Sequence, residues 1–237
     1  MEMEPLFLVN INCINCENSF KSSRVRPSFK KPYSKDTDFY SYYKEFNPDY
    51  YIVRVCPFCG FATTEHMENK LSKEQKIVFK EKLGSQWTMR DYGGERTWDD
   101  AMQTMKLALL CCQIKEEKPR VIAGILHHIS WLHRAKADKV NELRFMKFAL
   151  DAYVQVYETE PMDLNNARLM YLIGELNRRL GNYSDAVRWF TRVIQDKRIM
   201  DASMIKACRE QWAATREDMI AAKIELPDEM KQTEKKA

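Results

Sequence analysis

The chain is short of the residues that punctuate loops, with seven glycines and eight prolines in 237 residues. That scarcity excludes collagen-like and low-complexity readings. With 45% apolar and 30% charged residues the composition is that of a chain able to bury a core, so wholesale disorder is excluded as well. Long apolar runs are missing: the best, Leu107 to Cys112, covers six residues, where a bilayer span takes ~20. An excess of one charge is missing too, since 38 cations face 34 anions, and a net charge of +4 does not by itself imply nucleic acid. The opening Met1-Glu2-Met3-Glu4-Pro5 lacks the basic flank and apolar stretch of an export signal, so a cytoplasmic location without a membrane partner is the expectation. There is no phosphate-binding glycine loop, no H-E-x-x-H and no nucleophile elbow.

What is present first is cysteine in a pattern. Cys13 and Cys16 form one C-x-x-C pair, Cys56 and Cys59 another, with 39 residues between them. Cys111, Cys112 and Cys208 lie apart, and the odd total speaks against a secreted disulfide framework. Two thiolates two residues apart converge on one ion when the backbone turns sharply. Two such knuckles complete the closed tetrahedral shell of structural zinc. Iron is the alternative, because C-x-x-C with C-P-x-C-G also resembles rubredoxin knuckles and four thiolates do not choose between these ions by residue type. In the second knuckle, Pro57 fixes a torsion after the first ligand and Gly60 offers a left-handed conformation after the second. The run Tyr50 to Val55 predicts a strand entering it. In the first knuckle Asn18 is the residue expected to tolerate positive φ.

Between the knuckles, Lys21, Arg24, Arg26, Lys30, Lys31 and Lys35 give six cations in fifteen residues with no acid among them. Phe39, Tyr40, Tyr42, Tyr43, Phe46, Tyr50 and Tyr51 follow closely. Cations beside aromatics suit a single-strand nucleic-acid surface, with Arg24, Arg26, Lys30 and Lys31 as candidate contacts. The plainer reading makes the basic stretch a solvated loop and the aromatics the small core that a ribbon needs.

From Cys13 to about Ser72 the chain resembles an uncharacterised bacterial family, domain of unknown function 2225. The matching elements are Cys13-Ile14-Asn15-Cys16, Ser23-Arg24-Val25-Arg26, Asp36-Thr37-Asp38-Phe39 and Tyr42-Tyr43-Lys44. Asn47-Pro48, Tyr50-Tyr51 and Val55-Cys56-Pro57-Phe58-Cys59-Gly60-Phe61-Ala62 complete them. The resemblance implies a zinc-ribbon-like N-terminal region and a tetratricopeptide-like helical C-terminal part. It carries no activity with it.

From Leu71 the pattern turns helical. Ser72-Lys73-Glu74-Gln75 reads as a capping box, followed by a helix to Gly84, and Gly93-Gly94 as a hinge. Helices are predicted over 97–116, 119–136, 140–159, 164–180, 184–197 and 201–223, with Asp163 and Asp201 as caps. Ile173-Gly174, Gly181-Asn182-Tyr183, Ala186 and Phe190 fit the spacing of one tetratricopeptide unit. Gly124 with Ala149 and Tyr153 reads as a looser copy, Ala101, Met105 and Ala108 as part of a third, and Met204, Ile205, Cys208 and Trp212 as a closing helix.

His127, His128 and His133 share one predicted helix and Cys111/Cys112 the helix before it, a Cys–His arrangement with no third orienting group. His127 and Trp131, four apart, read as a packed face. Adjacent cysteines point about 100° apart, so one of the pair at most is expected in the core. His66 is a spare ligand that four cysteines leave unneeded.

The expected protein is mainly α with a small β region. Residues 1–70 form a zinc-ribbon-like domain, 71–96 a helix and linker, 97–226 a tetratricopeptide-like helical domain and 227–237 a charged tail. The expected function is a non-enzymatic scaffold: one zinc, or alternatively iron, on Cys13, Cys16, Cys56 and Cys59, and a helical groove for a protein or peptide partner. Nucleic-acid binding by the basic stretch is the alternative.

Overall fold

The computed structural model describes residues 3–160 and 166–231. It is mainly helical with a small β region, as the sequence predicts, and the β region consists of three two-stranded sheets. Its chain divides into two compact units, 1–145 and 146–237. Asp163 and the tail beyond Lys231 lie outside the described residues.

The first unit opens with a hairpin. β1 (Leu6–Asn12) pairs antiparallel with β2 (Ser19–Val25), in a register from Leu6 opposite Val25 to Asn12 opposite Ser19. From Phe7 to Asn12 exposure alternates residue by residue, the period of a half-buried strand. Lys21 to Val25 is therefore strand rather than a solvated loop; its serines and cations carry a weak strand signal of their own, and the pairing comes from the more apolar β1. β3 (Ser34–Lys35) and β4 (Ser41–Tyr42) form a second ladder, and β5 (Arg54–Val55) and β6 (Ala62–Thr63) a third. The strand expected from Tyr50 shrinks to Arg54–Val55. Residues Pro48–Tyr51 make a 3₁₀ turn instead, with Asn47 Oδ1 accepting the Asp49 N–H at 3.0 Å. Proline at its start and the Asn47 cap favour the turn over extension.

Three helices complete this unit: α1 (Lys73–Lys82), α2 (Trp98–Lys115) and α3 (Pro119–Ala135). The Ser72 capping box forms as expected, and Thr97 with Asp100 makes a second one. One core runs from Cys13, Val53, Val55, Cys56 and Phe61 through Phe79 to Met105, Ile129 and Leu132. The knuckles and the helices thus share one interior, and the chain divides near Phe145 instead of at a ribbon boundary. Cys111 and Cys112 are both fully buried, contrary to expectation, because α2 is covered on more than one side. The Ala62 N–H donates to Cys111 Sγ at 3.3 Å on one of them.

The expected hinge is tied down. The Gly94 N–H donates to Ser23 Oγ at 2.8 Å. Arg96, 6% exposed, donates from its guanidinium to the carbonyls of Tyr92, Tyr50 and Val53 at 2.8–2.9 Å. Its N–H donates to the Tyr51 hydroxyl at 3.0 Å. A buried guanidinium satisfied by main-chain carbonyls fixes the segment that a pair of glycines suggests is loose.

A second tie joins residues 36–51 to α3. Arg134 holds Asp38 with two hydrogen bonds, 2.9 Å to Oδ1 and 2.6 Å to Oδ2, and reaches Asp36 at 2.7 Å and Glu142 at 2.7 Å. Trp131 Nε1 donates to Asp38 Oδ2 at 3.2 Å, and His127 Nε2 lies 3.5 Å from the same oxygen. The His127–Trp131 face predicted from spacing is real, with ring centroids 4.4 Å apart. Burial lowers the His127 pKa; Asp38 opposes that shift, while His128 and Arg134 add to it. An imidazole held neutral when folded contributes stability above its unfolded pKa of ~6.5, and that contribution is lost progressively as pH falls below it through the lowered folded value. Urea midpoints measured from pH 7.5 to 5.5 should fall across this window, and H127Q should flatten the decline.

The second unit contains the C-terminal part of α4 (Lys139–Thr159), then α5 (Ala167–Arg179), α6 (Tyr183–Gln195) and α7 (Ala202–Ala221). Among the described residues no strand follows Thr63. A Cβ on Gly174 would meet the Phe190 ring at 2.6 Å, so α5 and α6 approach through the missing side chain. Gly181 turns between them at φ +81°. Gly124 differs, because a Cβ there meets nothing within 4 Å, and the steric reason for a second copy is lacking. Val187, Met219 and Met230 form a separate small core with Trp212 packed on it.

Candidate metal centre

Each pair of cysteines sits in a tight turn, and the two turns are built alike. Glu17 N–H donates to the Cys13 carbonyl and Gly60 N–H to that of Cys56, both at 2.9 Å. Cys13 N–H donates to the Asn18 carbonyl at 3.0 Å and Cys56 N–H to that of Phe61 at 2.9 Å. Glu17 therefore occupies the position of Gly60, and both have positive φ, +65° and +77°. The left-handed residue of the first knuckle is Glu17, one before the expected Asn18. Asn18 instead points its Nδ2 at Cys16 Sγ, 3.5 Å away.

Gly60 answers two demands. Beyond its φ, a Cβ would lie 2.4 Å from the Trp87 ring. Trp87 covers the second knuckle and donates from Nε1 to the Pro57 carbonyl at 2.8 Å. Glu17 has no such neighbour and is exposed, with only a 3.3 Å surface pair to Lys76. E17G should therefore raise stability by ~0.5–1 kcal/mol by relieving the left-handed penalty, a gain that chemical denaturation can resolve.

These turns bring Cys13, Cys16, Cys56 and Cys59 together, their sulfurs all within 4.8 Å of one another. Cys13 and Cys59 Sγ are 3.6 Å apart, as are Cys16 and Cys56. A tetrahedron with metal–sulfur bonds of ~2.3 Å has edges of ~3.8 Å, so the donor set fits one four-coordinate ion. Cys13 and Cys56 are buried, and Cys16 and Cys59 half-buried. Packed this closely, the thiols compete for protons. Hydrogen bonds from Cys13 and then Cys56 hold Cys59 down at about 2, while its bonds to Cys56 and Cys59 drive Cys13 well up. Easy loss of a proton at one sulfur begins the conversion to thiolates that a metal completes.

Around the sulfurs lie groups the sequence reading passed over. Asn15 hydrogen-bonds Cys59 and favours its thiolate. Cys111 stands behind β6 as a fifth, neutral thiol, pushed up to about 12 by burial. No sequence spacing marks it, because its approach depends on where α2 packs. His66 is exposed and takes no part in the cluster. Among the described residues this is the one group of His, Cys, Asp or Glu side chains able to hold a metal.

The candidate nucleic-acid residues separate into two sets. Arg24 pairs with Glu65, and Arg26 donates to the Glu4 carbonyl at 2.8 Å while lying over the Phe7 ring. Lys30 and Lys31 are exposed beside the 3₁₀ turn Pro27–Phe29.

Among the described residues, no helix is long and apolar enough to cross a membrane. No curated protein and no solved structure matches the chain. A family model described as an uncharacterised protein conserved in bacteria, DUF2225, matches residues 6–215, and the chain belongs to that family.

Proposed function

We propose that this is a non-enzymatic, cytoplasmic scaffold in which one zinc ion fixes the N-terminal unit and the helices of the second unit receive a protein or peptide partner. The observation that carries the reading is the closed donor set. Four protein sulfurs fill a tetrahedral shell and leave no position for substrate or water, which is the arrangement of structural zinc. The tetratricopeptide-like part of the reading is supported by the Gly174–Phe190 approach and the Gly181 turn, features that pair helices into a stackable unit. The test is metal content and an absorption spectrum on protein purified without chelator. About one zinc per chain with no visible bands is the expected result. Iron with charge-transfer bands would replace the scaffold with a redox module, and a folded protein free of metal would defeat both.

A second reading is favoured by one observation. Lys21, Lys30, Lys31 and Lys35 are all exposed and make no ion pair among the described residues, whereas Arg24 and Arg26 are engaged. Exposed Tyr33 stands among them. Single strands would then bind with a steep salt dependence that flattens when these lysines become alanine, and Arg24 and Arg26 would contribute little. Salt-independent retention would end this reading.

A further inference from the structure

β1 is paired on one side only, and the main-chain groups on its open side can be assigned. At the two ends of the β1–β2 ladder, the Arg26 N–H donates to the Pro5 carbonyl at 2.8 Å and the Cys13 N–H to that of Asn18 at 3.0 Å. In an antiparallel ladder, residues that exchange hydrogen bonds with the partner alternate with residues that do not. Both end contacts fall on odd-numbered residues of the first strand, so Phe7, Val9 and Ile11 turn their N–H and C=O groups toward β2. Leu8, Asn10 and Asn12 turn theirs away from it. These outward groups make no hydrogen bond among the described residues. Seven residues long, β1 has neither the charges nor the proline that commonly blunt an exposed edge.

A cavity of about 370 Å³ lies along that edge. Asn10, Ile11 and Asn12 line it in succession although their side chains alternate between the two faces of the hairpin, so what the cavity borders is the open edge of the strand. The segment from Thr63 to Asn69 forms its other wall. Bounded on both sides, the space takes one added strand and excludes the two-stranded hairpin of a second copy. An added strand continues the alternation of β1, with one side over half-buried Val9 and Ile11 and the other in solvent beside Leu8 and Asn10. Charge narrows the partner further. Glu65 on the far wall is held by two guanidiniums, Arg54, which lines the cavity, and Arg24, which reaches it from β2. Glu68 and Lys118 balance each other at 3.1 Å. These pairs leave one positive charge over, and a carboxylate on the incoming strand is its complement.

We propose that the open edge of β1 binds an extended peptide as a third strand, one with alternating apolar residues and an acidic side chain that meets Arg54. Main-chain hydrogen bonds to Asn10 and Asn12 give the affinity, and the alternation with the carboxylate gives the selection. The inference goes beyond the scaffold reading, which places its partner on the helices of the second unit.

The experiment is fluorescence polarisation of the metal-loaded full chain with labelled seven-residue peptides that alternate valine and threonine, each with glutamate in place of one valine. The best of them should bind about tenfold more tightly than its glutamine counterpart, and R54Q should erase that advantage. N-methylation of every second residue removes amide donors and should cost about tenfold or more, but for only one of the two alternate sets, because a strand turns half of its amides toward its neighbour. N10P removes an outward donor while leaving the ladder to β2 intact and should weaken binding as much. N10A keeps the main chain and should bind normally. Where circular dichroism shows that N10P does not fold, the two methylated peptides decide the matter on the unaltered protein. The proposal is overturned if no peptide binds at millimolar concentration, if the two methylated peptides behave alike, if folded N10P binds normally, or if glutamine serves as well as glutamate. A dimer of the unaltered chain in sedimentation, dispersed by N10P, would overturn it too by assigning the edge to a second copy.

Discussion

On the proposed zinc reading, replacing Cys56 with serine should leave the centre without metal and abolish the cooperative unfolding transition of the 1–145 unit. Cys56 is fully buried, and its sulfur lies 3.6 Å from that of Cys16 as one of the four in the cluster. The secondary structure around the cluster is slight. β5 and β6 have two residues each, and the sulfur–sulfur contacts Cys13–Cys59 and Cys16–Cys56 join the two knuckles. Yet Val53, Val55, Phe61 and Ala62 from this region form the surface on which α1 and α2 pack. Structural zinc in small domains contributes an apparent ~10–16 kcal/mol to folding near neutral pH, as much as the ~5–15 kcal/mol total stability of an ordinary domain. Loss of a ligand is therefore expected to cost more than any apolar truncation in the same core. C208A, in the other unit, should keep full metal content. Metal analysis with thermal unfolding of both variants checks the claim, and a C56S protein with normal metal and an unchanged transition would refute it. Because the ligands must be deprotonated, acid should release the ion from the parent protein in competition with a colorimetric chelator.

The legibility of this centre in the sequence has a clear physical limit. Two C-x-x-C pairs mark the ligands because the motif is local, and a turn of four residues brings its own two sulfurs together. Helix boundaries after Leu71 were legible for the same reason: capping by Ser72 and Thr97 involves residues three apart. What could not be read depends on partners distant in the chain. Arg96 satisfies carbonyls more than 40 residues away, and nothing in Gly93-Gly94-Glu95-Arg96 announces it. Cys111 reaches β6 only because α2 lies across it. Glu17 takes the left-handed position of the first knuckle although its residue type argues against it, since the turn hydrogen bonds of Cys13 decide the conformation. The β1–β2 hairpin was missed because Ser19 to Val25 carries charge and hydroxyls, and its strand character comes from its neighbour.

The second large effect is expected at Arg134. R134A should destabilise the protein by ~3–5 kcal/mol, the cost of leaving buried charge without its partner. The guanidinium touches three carboxylates, and Asp38 among them is fully buried. Burial alone would lower the Arg134 pKa, but Asp38 and Glu142 raise it well above the ordinary value, so the charged form is the one the fold holds. Arg134 also lies 5.3 Å over the Tyr40 ring. R134K would restore the charge without the two-pronged grip on Asp38 and should recover only part of the loss. The network further constrains Phe39, which sits at φ +71°, a region that bulky residues avoid at a cost of ~1–2 kcal/mol. Its flanking residues, Asp38 and Tyr40, both face Arg134, so the left-handed turn persists because both of its sides are held. Without the guanidinium, the Asp38 carboxyl has burial acting on it and less to oppose it, and its folded pKa should rise above the unfolded ~3.9. A raised carboxyl favours the folded state at pH below its folded pKa, so the difference between R134A and the parent should shrink as pH falls from 7.5 to 5. Urea denaturation of both proteins at these two pH values measures it. A deficit below 1 kcal/mol at pH 7.5 would show that the 36–51 segment is held by its aromatic packing, with the ion pairs contributing little.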